Sequence, residues 1–143
     1  MAQATPFLLV LFLTLGAHSV SAEKCSLAGH WVNDLGSNMT IDIMKANGNF
    51  TGIYYTAVSV HSIEKSPLLG SQHLPDQPNH QPAFGFTVHW TFSDSMAVFM
   101  GQCFVDDGKE VLKTMWLLRS HVDVLRDDWK ATRVGYNEFT CLE

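Results

Sequence analysis

A chain of 143 residues, 46% of them hydrophobic, has the size and apolar content of one globular domain with a real core. Its net charge is −5, and its nine Lys and Arg residues form no basic cluster. That excludes a nucleic-acid or anionic-membrane surface as the expected partner.

Residues 1–22 carry an apolar run, Phe7 to Leu15, followed by Val20, Ser21 and Ala22, small residues suited to signal-peptidase cleavage. The run is far short of the ~20 apolar residues a membrane helix requires, and nothing later approaches that length. It reads as a removable signal peptide, with one domain over 23–143 and no membrane anchor. The mature protein is expected to be soluble, secreted and extracellular.

From there the pattern is of short alternating or apolar runs separated by turn residues, with helical periodicity nearly absent. In chain order the candidate strands are 29–33, 38–44, 49–56, a weak run about 69–73, 82–92, 96–105, 110–119 and 128–140. Asp34 to Ser37, Ala46 to Gly48, Ser93 to Ser95 and Asp106 to Gly108 are short and rich in turn residues, so sequential strands should pair as hairpins. The segment after Thr56, through Pro67, reads as a loop. Pro75, Pro78 and Pro82 exclude a central strand across 74–82 and predict a second long loop. Eight antiparallel neighbours close into an all-β, up-and-down barrel, which removes sheet edges and leaves an interior able to hold one small ligand.

Period-two alternation assigns side chains to faces. Phe84, Phe86, Val88, Trp90 and Phe92 share one face, and Thr87, His89 and Thr91 the other. In the 110–119 run, Thr114, Trp116 and Leu118 oppose Met115 and Leu117, and both faces are apolar. A barrel strand covered on both sides implies a partner subunit.

Three cysteines in a secreted chain leave one disulfide and one odd thiol. Cys25 and Cys103 lie in or beside apolar strand-like segments, so they are expected to pair. Cys141 then becomes a candidate bridge to another chain. Two sequons offer glycosylation at Asn38 and Asn49, the latter in a polar turn. No His-x-His or His-Glu-x-x-His spacing suggests a metal, and no Gly-x-Ser-x-Gly elbow suggests a hydrolase. The adjacent acids Asp127 and Asp128 read as a solvated turn rather than an acid/base pair.

The segment Gly29–Thr40 (GHWVNDLGSNMT) closely resembles the opening strand and turn of the avidin/streptavidin family. Phe50–Ala57 (FTGIYYTA), Phe84–Ser93 (FGFTVHWTFS), Gly101–Cys103 (GQC), Lys109–Arg119 (KEVLKTMWLLR) and Asp127–Asn137 (DDWKATRVGYN) follow in family order. Together they span nearly all of the chain after the leader.

The resemblance implies a biotin-binding protein that performs no catalysis and uses no cofactor. Transferred position by position, Asn33, Ser37 and Tyr54 would donate to the ureido oxygen, and Thr56 and Asn137 would accept from the ureido N–H groups. Three donors converging in a dry pocket would polarise the ureido group. Trp90, Phe92, Phe99 and Trp116 match an apolar box around the ring and tail. Ser93, Ser95 and the loop residues Ser59, Val60 and His61 would meet the carboxylate. Trp129 matches a tryptophan lent by a neighbouring subunit, in a homotetramer whose contact residues correspond to Met115, Val134 and Tyr136. Ala97 stands where the family usually has a threonine bonded to the thioether sulfur. Loss of one hydrogen bond is worth ~0.5–1.5 kcal/mol, so binding is expected to be tight but weakened. A lipocalin-like carrier of another apolar ligand is the competing reading for such a barrel, but it would not require five ureido-matched polar groups.

Overall fold

The computed structural model describes residues 24–57, 63–74 and 80–142. The leader and the loop residues Ser59, Val60 and His61 lie outside them. Eight strands run in order: β1 (Gly29–Asn33), β2 (Asn38–Ile41), β3 (Asn49–Thr56), β4 (Glu64–Gln72), β5 (Ala83–His89), β6 (Ser95–Asp106), β7 (Lys109–Ser120) and β8 (Thr132–Cys141). Each pairs antiparallel with the next, and β8 pairs back onto β1, so the sheet closes as an up-and-down barrel.

Tight turns make this possible. Gly36, Gly48 and Gly108 adopt positive φ in the hairpin turns, as does Asp107. The β6–β7 hairpin is the longest, with Asp106 opposite Lys109 at its tip and Ser95 opposite Ser120 at its base.

Four boundaries differ by more than one residue from the sequence reading, each for a local reason. Strand β2 stops at Ile41, and the chain turns by way of Asp42 N–H to Thr51 O and Lys45 N–H to Asn49 O. Strand β4 begins at Glu64, so Pro67 is in a strand rather than a loop. Its missing N–H opens no gap toward β5, because β5 pairs only from Leu68 onward. Strand β5 ends at His89, before Trp90 and Phe92. Thr91 is drawn to β4 instead, its N–H donating to Ser66 Oγ and its hydroxyl to Lys65 O. Finally, Leu125–Lys130 is a short 3₁₀ helix, and β8 begins only at Thr132. That helix is tied to β7 by an Arg119–Asp128 ion pair at 2.6 Å, and Asp127 meets Lys130 within the helix, so the paired acids are engaged in surface contacts.

The core fills one end of the barrel. Trp31, Phe50, Phe86, Phe139, Leu27, Met39 and Leu112 are fully buried, and Trp31 Nε1 donates to Leu27 O at 2.8 Å. The expected Cys25–Cys103 disulfide ties the segment ahead of β1 to β6, with Cα atoms 5.8 Å apart. Closing a loop of this length contributes about 4 kcal/mol in the chain-entropy model. Between these cysteines runs the 80–82 segment, accepting from Cys25 N–H at His80 O and from Cys103 N–H at Pro82 O. Cys141 is exposed in β8, opposite Trp31.

The outer face of β6, β7 and β8 carries an apolar patch, bounded by the polar row of Gln102, Lys113 and Glu138. Met100, Met115 and Tyr136 form one cross-strand row, and Val98, Leu117 and Val134 form the next, all exposed. A chain that buries phenylalanines inside while presenting such rows outside has a face suited to protein contact.

Candidate functional site

Opposite the aromatic plug the barrel opens into a cavity of about 570 Å³, within the range of small-molecule sites. Eleven of the residues expected to bind a ligand line it. Five are polar and sit at its inner end or on the adjoining turn: Asn33, Ser37, Tyr54, Thr56 and Asn137. Asn33 closes β1, Thr56 closes β3 and Asn137 lies on β8, so strands distant in sequence are brought together by closure of the sheet.

Hydrogen bonds fix the sense of both amides. Asn33 Oδ1 accepts from the backbone N–H groups of Leu35, at 3.0 Å, and Ser37, at 2.9 Å. Only an oxygen can do so, which makes Nδ2 the inward donor, and it reaches Tyr54 Oη at 3.1 Å. Asn137 is held the other way. Its Nδ2 donates to Asp34 Oδ1 at 2.8 Å, which leaves Oδ1 to act as an acceptor. The Ser37 hydroxyl oxygen accepts from Ala57 N–H at 3.0 Å, which leaves its hydrogen to be donated, toward the Tyr54 oxygen or to a ligand in its place. Asn33 and Asn137, the same residue type, thus present opposite hydrogen-bonding character.

Tyr54 completes the donor group. Burial pushes its phenol up to about 12, the hydrogen bond from Ser37 opposes this, the nearby Asp34 carboxylate adds to it, and the Asn33 bond again opposes. The phenol therefore stays protonated and can donate throughout the physiological range.

Above this polar end the walls are aromatic. Tyr54 meets Trp90 edge-on at 5.3 Å and lies tilted against Phe99 at 5.7 Å, while Trp90 and Phe92 are 5.6 Å apart. Trp90 Nε1 is buried and meets no acceptor among the described residues. Trp116 faces the cavity from β7, packed so close to Gly135 that a Cβ there would lie 2.2 Å from its ring. Ala97 is buried in the wall. At the mouth, the Ser93 and Ser95 hydroxyls bond to each other.

Three predicted positions, Ser59, Val60 and His61, lie outside the described residues. Trp129 does not line the cavity of its own chain; it projects from the 3₁₀ helix, 82% exposed. Five lining residues were not anticipated: Leu35, Asp94, Leu118, Ser120 and His121. Leu118 and Ser120 continue the inward alternation of Thr114 and Trp116 and were within reach of it. Leu35, Asp94 and His121 sit in connections, where alternation carries no signal.

Among the described residues no cluster of His, Cys, Asp and Glu is arranged to hold a metal. The architecture is that of a ligand-holding barrel: an up-and-down sheet plugged at one end, with oriented polar groups deep in an aromatic-walled cavity. The chain belongs to the avidin family, matching it over residues 21–142. It is 59% identical to avidin from Gallus gallus over 143 aligned residues, covering 96% of this chain and 93% of that one. Avidin-related protein 4/5 of the same organism is equally similar, at 59% over 143 residues, with 96% and 93% coverage. Among solved structures, a biotin binding protein from chicken superposes with a TM-score of 0.79 at 54% identity, covering 83% of this chain and 99% of that one.

Proposed function

We propose that this protein binds biotin inside the barrel, without altering it chemically, as a secreted homotetramer that sequesters the free ligand. The observation that carries this reading is the opposite orientation of the two amides. Asn33 Nδ2, with the Ser37 and Tyr54 hydroxyls, forms a donor set suited to a ureido oxygen. Asn137 Oδ1, with Thr56 nearby, suits the ureido N–H groups. A purely apolar ligand would offer no acceptor to the Tyr54 hydroxyl and no donor to Asn137 Oδ1, at about 1–3 kcal/mol each. The aromatic walls suit a thioether ring and an aliphatic tail, and the serines at the mouth suit its carboxylate.

The rigid strands hold these groups in place before binding, so little ordering cost remains. Removing biotin from the surroundings is the natural work of such a binder, and denying it to microorganisms gives a defensive role. Assembly is supported by the apolar rows on β6 to β8, centred on Met115, Val134 and Tyr136, and by the exposure of Trp129. A solvent-facing tryptophan beside an apolar face suits capping a neighbour's cavity. Asn49, exposed at the start of β3, and the half-buried Asn38 are the glycan acceptors.

Calorimetric titration with biotin, on the native protein and on Trp129→Lys, tests both parts. Tight binding that weakens in the variant is expected. Absence of heat at micromolar protein would overturn the ligand assignment, and unchanged affinity in the variant would remove the intersubunit tryptophan.

A further inference from the structure

The inner end of the cavity meets a ligand with fixed, uncharged groups, whereas its mouth carries a carboxylate and an imidazole. Among the described lining residues the ionisable groups there are Asp94, in the β5–β6 connection, and His121, just after β7. The two are joined twice: His121 N–H donates to Asp94 O at 3.0 Å, and the imidazole Nδ1 lies 3.6 Å from Asp94 Oδ2. On its other side Nε2 is 3.2 Å from Asp123 Oδ1. Beyond them, His89 and Arg119 line an adjoining cleft with His121 and Asp94, and Arg119 is committed to Asp128 at 2.6 Å. No lysine or arginine among the described residues lines the main cavity.

A ligand tail emerging past Ser93 and Ser95 therefore meets a fixed anion, Asp94, and a group whose charge depends on pH. Imidazole is the side chain that changes charge between about pH 5 and 8. With His121 neutral, a tail ending in a carboxylate faces Asp94 uncompensated. With His121 protonated, the same tail faces a cation at the mouth, while a tail ending in an uncharged amide is indifferent to either state.

Resting on the biotin reading, we propose that His121 is a specificity-determining residue that sets how strongly the site prefers a carboxylate-ended ligand over its amide-linked counterpart. Free biotin is favoured on the acid side, and the preference fades as the imidazole loses its proton. Because the mouth is open to water, the effect has the size of an exposed ion pair, about two- to fivefold in affinity, and weakens with salt.

The test compares biotin with biotin primary amide, measuring dissociation constants at about pH 5.5 and about pH 8. In the native protein the biotin-to-amide preference should rise about two- to fivefold on acidification. In His121→Asn it should be the same at both pH values. Asp94→Asn should raise the preference for biotin at both. His61 lies outside the described residues, and the His121 variant separates any contribution of that second imidazole. If both ligands bind and the native ratio does not change with pH, or if the change survives in His121→Asn, the proposal is overturned while biotin binding stands. If neither ligand binds at either pH, the biotin reading itself fails and this proposal with it.

Discussion

Ala97 is the residue at which a small change carries the clearest expectation. It is buried in the cavity wall, between Val88 of β5 and Leu118 of β7 in the strand register. A hydroxyl there would reach a ligand sulfur that the methyl group does not engage. Ala97→Thr should slow biotin release up to about tenfold, the value of one neutral hydrogen bond, as read by competition of labelled against unlabelled biotin. Tyr54 makes a second prediction, in the pH dependence of stability. In the unfolded chain the phenol ionises near 10, while in the folded barrel it holds its proton to about 12. Below pH 10 both states are protonated and stability does not depend on this group. Between pH 10 and 12 only the folded state keeps the proton, so stability falls as pH rises, by roughly 2–3 kcal/mol in total. Denaturant midpoints across this range should show the fall in the native protein and lose most of it in Tyr54→Phe.

At the level of strands, Trp116 and Gly135 illustrate how one element prepares the site carried by another. Gly135 of β8 lies directly opposite Trp116 of β7, and the indole occupies the space where a side chain would be. Gly135→Ala should displace the ring toward the cavity, costing about 1–3 kcal/mol in stability and weakening biotin binding more than it weakens folding. Thermal denaturation and titration on the same sample separate the two effects. Strand faces of this kind were legible wherever polar and apolar residues alternate. Phe84, Phe86 and Val88 are buried as alternation required. Strand β4 was poorly legible because its first half, Glu64 to Pro67, is polar and contains a proline, although Ser66 and Leu68 do point inward. The 3₁₀ helix leaves no signal in the sequence because six residues are too few to show a helical period, and Trp129 on it falls in a run that reads as a strand. For the site, composition and periodicity indicated only a barrel able to hold a ligand. The polar set came from resemblance, and the orientation of its amides came from backbone contacts of Leu35 and Ser37 that no side-chain pattern encodes.

For the whole molecule, the apolar rows across β6, β7 and β8 make assembly the property most exposed to mutation. Lysines in place of Met115 and Val134 should reduce the mass seen by light scattering below that of the proposed tetramer while leaving the β-sheet circular dichroism intact. Biotin affinity should fall with the mass if, as proposed, the exposed Trp129 caps a neighbouring cavity. Closure of the sheet has a different kind of consequence. The seam between β1 and β8 rests on three residue pairs, and the contact between Asp34 and Asn137 spans 103 positions of sequence. Neither the barrel nor the acceptor half of its polar end can exist until β8 has left the ribosome, and closing so distant a contact is slow relative to local hairpins. A chain cut short before β8 would display two open sheet edges. It would also lack the group that opposes Asn33. Ligand retention would therefore report on completeness of synthesis, since only a fully made chain can hold its cargo.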